Sequence, residues 1–112
     1  MISVSVDSPR RCELPSRPGV QVLVGGRLVR ARKEPFPLGT ENHPRRVIGP
    51  ARGAWAVVRF ENYCGAFPSG SVAVRVTLGG RTVLRKIPSA RPPVCGSRSL
   101  PARLGVSLFV RR

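Results

Sequence analysis

Acidic residues are scarce in this 112-residue chain: Asp7, Glu13, Glu34, Glu41 and Glu61 are all there are. None has a spacing that specifies a site, and the single histidine, His43, has no carboxylate beside it to orient it as a base. No nucleophile–base–acid set can be assembled, so an enzyme is not expected. His43, between Asn42 and Pro44, reads as a solvent-exposed loop residue. Cysteine is scarce too. Cys12, Cys64 and Cys95 lack the C-x-x-C spacing of a zinc site, and one histidine cannot complete a common cluster. No metal or other cofactor is expected. Large aromatics are few (Trp55, Tyr63 and four phenylalanines), which weakens a single-stranded nucleic-acid reading, because such binders stack bases on aromatic platforms between cations. There is no run of about eighteen apolar residues to span a membrane. There is no signal-peptide pattern either: Met1 leads straight into the alternating Ile2-Ser-Val4-Ser-Val6. Two expectations follow: a cytoplasmic protein, or a chain that begins inside a longer precursor.

What is abundant is arginine, glycine, proline and valine. The net charge is +15, and Lys33 and Lys86 are the only lysines among 20 basic residues. A GC-rich genome favours arginine codons, which accounts for the Arg-to-Lys ratio but not for the shortage of acids. The arginines are scattered, with doublets only at Arg10-Arg11, Arg45-Arg46 and Arg111-Arg112. Incidental charge on the polar faces of strands is the simpler account; a true polyanion surface is the sharper one. Arg45, Arg46, Arg111 and Arg112 are its candidate residues. Twelve glycines and twelve prolines are too many for a helical bundle, while 41% hydrophobic residues supply a core for one domain spanning 1–112.

Period-2 alternation dominates. Val20-Gln-Val22-Leu-Val24-Gly25-Gly26-Arg27-Leu-Val29 is echoed by Val74-Arg-Val76-Thr-Leu78-Gly79-Gly80-Arg81-Thr-Val83. Each reads as a β-hairpin whose two-residue turn needs positive φ, which glycine adopts at little cost. In the first, Val22 should face Val29 and Val20 face Ala31. In the second, Arg85 falls on the apolar face opposite Val74, so a fray or bulge is expected there. Neither turn is a phosphate loop, since each lacks the G-x-x-x-x-G-K pattern and a following helix. The flanks of the two hairpins differ, so duplication is not implied.

Other strands are expected at Ile2–Val6, briefly at Val47-Ile48, and centrally over Ala54–Phe60, where Ala54, Ala56, Val58 and Phe60 share a face. The last strand should place Leu104, Val106, Leu108 and Val110 together, against Gly105, Ser107 and Phe109. The stretch from Lys33 to Arg46, with Pro35, Pro37, Gly39 and Pro44, reads as a mobile loop. Pro88-Ser-Ala-Arg-Pro92-Pro93 reads as a strand connection rather than a proline-rich ligand. Seven or eight short strands predict an all-β antiparallel two-sheet sandwich, with a small β-barrel as the alternative. The central hairpin ladders are expected to flank the Ala54–Phe60 strand. Cys64 follows that strand and Cys95 precedes the last one, so the fold predicts a Cys64–Cys95 disulfide. Cys12 is left over, as a free thiol or with a partner upstream.

Cys12-x-Leu14-x-x-x-Pro18-x-Val20, then Val47 to Pro50, then Ala54-x-Ala56-x-Val58-x-Phe60-x-Asn62-Tyr63-Cys64, and finally Cys95 with Leu104-x-Val106-x-Leu108-Phe109, occur in an order that resembles the actinobacterial domain of unknown function 4232. Its pattern there runs C-x-L-x-G-Y-P-x-V, L-x-P-G, W-x-N-W-C and a closing cysteine. Ser16 and Arg17 stand for the family's Gly-Tyr, Ala51 stands where glycine is usual, and Phe60 stands for tryptophan. The resemblance implies an immunoglobulin-like sandwich, exported or lipid-anchored behind upstream sequence that includes another cysteine, a partner for Cys12. It implies no activity. The expected function is a non-enzymatic exported module acting at the cell envelope, its partners anionic envelope components or another protein. The alternative is a cytoplasmic basic β-domain that binds nucleic acid.

Overall fold

The computed structural model describes residues 2–36 and 45–111, apart from the side chains of Pro35 and Arg111. Among these the chain is an all-β two-sheet sandwich. Its strands are β1 (Ile2–Val6), β2 (Cys12–Glu13), β3 (Gly19–Val24), β4 (Arg27–Leu28), β5 (Ala31–Pro35), β6 (Val47–Ile48), β7 (Ala54–Glu61), β8 (Val72–Leu78), β9 (Arg81–Ile87), β10 (Ala102–Val106) and β11 (Val110–Arg111). One sheet runs β4-β3-β8-β9 and the other β1-β7-β10-β5, with β11 also on β7 and β2 pairing β6 separately. Neither closes into a barrel.

The two Gly-Gly hairpins form the first sheet by lying side by side. Val20, Val22 and Val24 of β3 stand opposite Val76, Val74 and Val72 of β8 in an antiparallel ladder. The hairpin ladders therefore do not flank the Ala54–Phe60 strand, as the sequence led one to expect; they face it across the core. Gly25, Gly26, Gly79 and Gly80 have φ of 59°, 80°, 53° and 86°, the conformation their turns require. The first hairpin is shorter than expected. Leu23 pairs Leu28 and Val24 pairs Arg27, and the Val29 N–H donates to the Val22 carbonyl. Beyond Arg30 the chain crosses to the other sheet, so Ala31 pairs Ala102 instead of Val20.

That crossing also revises the expected loop after Lys33. Ala31–Pro35 is an edge strand parallel to β10, from Ala31↔Ala102 to Pro35↔Val106. Its partner lies about seventy residues away, out of reach of local pattern. This is the parallel pair in an otherwise antiparallel sandwich. The rest of that expected loop, including His43, lies outside the described residues.

The core joins both sheets. Val20, Val22, Val24, Val72 and Val74 pack against Val58, Leu104, Val106 and Tyr63. A second cluster holds Leu14, Ile48, Ala54, Ala56 and Phe109 at the opposite end. The two alanines leave room for the Phe109 ring, which is 1% exposed.

Phe109 reaches that core because the last strand changes face. Val106 pairs Val58 but Val110 pairs Trp55, so three residues, 107–109, oppose two, 56–57. This is a β-bulge, and the extra residue reverses the alternation. Phe109 turns inward where Leu108 was expected, and Val110, itself buried at 2% exposure, shares the other face of β7 with Trp55. The bulge leaves a ladder donor in need of an acceptor, and Ser107 supplies it. The Val57 N–H donates to Ser107 Oγ at 2.8 Å, while the Ser107 N–H donates to the Val57 carbonyl at 2.9 Å. Ser107 is fully buried and its hydroxyl donates to the Leu108 carbonyl.

The expected fray at Arg85 does not occur. The β8–β9 ladder runs unbroken from Val72↔Ile87 to Leu78↔Arg81. Every residue from Arg81 to Lys86 is exposed, so Arg85 sits opposite Val74 with its guanidinium in water and one Nη1–H on the Leu84 carbonyl.

Candidate anion-binding and interaction surface

The best-organised end of the sandwich follows β7. Asn62 has φ 59°, a left-handed turn that asparagine tolerates. Its side chain clasps the loop that precedes β10. Asn62 Oδ1 accepts the Gly96 and Ser97 N–H groups, both at 2.8 Å. Its Nδ2 donates to the carbonyls of Ser97, Leu100 and Pro101 at 3.0–3.2 Å. Tyr63 is buried, its ring edge-on to Phe60, and its hydroxyl accepts the Phe67 N–H. A Cβ at Gly65 would sit 2.4 Å from the Tyr63 hydroxyl, so only glycine fits. Cys64 is bonded to Cys95, with Cα atoms 4.7 Å apart. The disulfide expected from the strand ends is thus present, and Cys12 is a free, exposed thiol.

The clasped loop, the β3–β4 turn and the 65–70 turn surround a cleft of about 360 Å³ lined by Arg27, Leu28, Arg30, Tyr63, Phe67 and Leu100, among others. A second hollow of about 370 Å³ adjoins it, sharing Asn62 and Leu100 and adding Val94 and Arg103. Their rim is unusually apolar for an exposed surface: Leu28 is 52% exposed, Leu100 61% and Val94 86%. The Arg27 guanidinium lies 5.5 Å from the centre of the Phe67 ring. Sequence reading missed this cluster, although it leaves a trace. Phe67-Pro68, Pro93-Val94 and Leu100-Pro101 are large apolar residues set beside prolines in turn segments, where no strand can bury them.

Charge is distributed unequally between the sheets. The β1-β7-β10-β5 sheet carries its own acids: Glu61 bridges Arg59 and Arg103, and Glu34 lies 4.0 Å from Arg32. The hydrogen bond from Arg103, aided by the nearby Arg59 charge, holds the Glu61 carboxyl below the usual carboxylate range; the same bond raises Arg103. Arg59 also stacks over Phe36, 4.4 Å from its ring centre. The hairpin sheet contains Arg27, Arg75, Arg81, Arg85 and Lys86 and no acid in any of its strands or tight turns. Only Arg75 there makes a side-chain bond to a polar side chain, to Gln21 Oε1 at 3.2 Å, among the described residues.

The sequence-proposed arginines are only partly assembled. The Arg45 N–H donates to the Phe109 carbonyl and the Leu14 N–H to the Arg46 carbonyl, so residue 45 lies beside 109 while residue 46 lies beside Leu14. Arg46 is exposed, whereas Arg45 is half-buried with Nε shielded and without an acceptor among the described residues. Arg112 and the Arg111 side chain lie outside the described residues. Among the described residues, no three His, Cys, Asp or Glu side chains come together as a metal group, and no helix is long and apolar enough to cross a membrane. No protein-family model, curated protein or solved structure matches the chain.

Proposed function

We propose that this chain is a non-enzymatic, exported β-sandwich module, of the envelope-associated kind whose motifs it resembles, that binds phosphate-bearing polymers of the cell envelope. The observation that carries this reading is the hairpin sheet, whose five cations have no acid in their own strands to neutralise them. On β9, Arg81, Arg85 and Lys86 point to both faces of an exposed edge strand, an array suited to a flexible polyanion rather than to one fixed small anion. The Cys64–Cys95 disulfide supports an oxidising compartment, where such bonds persist, over the cytoplasm where nucleic acid would be met.

The test is binding of the full chain to poly(glycerol phosphate) at increasing salt. Contacts between cations and polymer phosphates release counterions, so affinity should fall linearly with salt on logarithmic axes. Absence of binding at low salt would remove the reading. Thiol blocking at cell lysis, followed by mass measurement, should find Cys64 and Cys95 protected; free thiols at both positions would contradict export.

A further inference from the structure

We infer that the end of the sandwich bearing Leu28, Phe67, Val94 and Leu100 is a docking surface for an anionic lipid bilayer, an inference that rests on the envelope reading above and gives the module its orientation. Strand β4, the 65–70 turn and the loop before β10 present these side chains around two adjoining hollows. Arg27 and Arg30 line the same cleft, and Arg103 the neighbouring one. The acid among the lining residues, Glu61, is already engaged by Arg59 and Arg103. Apolar tips flanked by guanidiniums match the boundary of a bilayer, where acyl chains receive the tips and anionic headgroups the cations.

The backbone argues for lipid over a protein segment. An extended peptide docks by pairing with free main-chain groups. Here the Asn62 side chain already occupies the Gly96 and Ser97 N–H groups and the Ser97, Leu100 and Pro101 carbonyls. What the loop leaves outside is side chain, with the apolar Val94 and Leu100 beside the exposed Arg98 and Ser99. Asn62 and the adjoining disulfide also hold the loop in place before contact, so little ordering is left for binding to impose.

The experiment is co-sedimentation of the oxidised full chain with vesicles of phosphatidylcholine alone or mixed with phosphatidylglycerol. Binding is expected only to the mixed vesicles. It should weaken with salt less steeply than poly(glycerol phosphate) binding does, because only the headgroup part of the contact is screened. Leu28→Ser combined with Leu100→Ser, both at exposed positions, should lower partition roughly tenfold and leave polymer binding unchanged. Equal binding to both vesicle types, or unchanged partition of the double variant, would overturn the docking surface. So would a failure to bind vesicles with polymer binding intact, which leaves the envelope-polymer reading standing. A glutamate–tyrosine copolymer competed away by the same double substitution, without vesicle binding, would replace lipid by an acidic protein partner.

Discussion

The two sheets of this sandwich share one core and are both cationic, but they are built differently and only one of them holds acids. The hairpin sheet is simply built: two local hairpins are joined by one unbroken β3–β8 ladder between remote segments, and each ladder keeps a straight register. The β1-β7-β10-β5 sheet is assembled from distant segments, and its joints are made by individual residues. Ser107 closes the bulge, Asn62 clasps the loop before β10, and Cys64–Cys95 ties the end of β7 to the approach of β10. Charge follows the same division. The composite sheet pairs cations with Glu34 and Glu61, while the hairpin sheet has no acid in its strands and exposes the β9 cations Arg81, Arg85 and Lys86. A regular ladder leaves the polar side chains of one sheet free for binding, whereas the other spends several of its polar groups on assembly.

The largest way to break the contrast is to remove the disulfide. The bond closes a 31-residue separation, and its loss should cost roughly 3–4 kcal/mol in the chain-entropy model. Denaturant unfolding of Cys64→Ser/Cys95→Ser measures this. Amide exchange in that variant should rise first in β7 and β10 and last in the β3–β8 ladder. Uniform exchange across both sheets would show that they do not differ in this way.

Next comes the bulge. Ser107→Ala leaves the Val57 N–H buried without an acceptor, at a cost of about 1–3 kcal/mol. A glycine-to-alanine change in an open hairpin turn tests backbone strain alone, but the composite side offers the reverse experiment. Ala51 adopts φ 74°, which a side chain disfavours. Ala51→Gly should therefore stabilise the fold by about 1 kcal/mol, read as a higher denaturant midpoint.

These particular residues show what the sequence made legible. Alternation located Ile2–Val6, both Gly-Gly hairpins and Ala54–Phe60, one residue short of β7, because their patterns are set by near neighbours. The disulfide was legible from the positions of its cysteines at strand ends. The Ala31–Pro35 strand was not, since its partner β10 is remote and parallel. Nor was the bulge, because Leu104 to Leu108 alternates and Leu108-Phe109-Val110 is apolar throughout, so only the pairing with Trp55 and Val58 reveals the extra residue. The exposed tips escaped because an apolar residue beside proline looks the same whether buried or not. Charge counting gave the excess of cations but not the sheet that lacks acids.

The smallest expected effect concerns Glu61. Its folded pKa is depressed, so its contribution to stability is present above the unfolded carboxylate pKa and is lost as pH falls through the folded value. Because the pair is exposed, Glu61→Gln should lower stability only slightly near neutrality, and the difference from the parent should vanish in acid. Thermal midpoints of both proteins across that range measure it.

The central claim, that the unneutralised hairpin sheet is the binding face, is tested most directly by two triple variants with equal loss of charge. Arg81→Gln/Arg85→Gln/Lys86→Gln strips β9, and Arg32→Gln/Arg59→Gln/Arg103→Gln strips the composite sheet. Affinity for poly(glycerol phosphate) at fixed salt should fall roughly tenfold or more in the first, with a shallower salt slope, and change by about twofold or less in the second. Equal losses in both would mean that only net charge matters, and that neither sheet is a binding face.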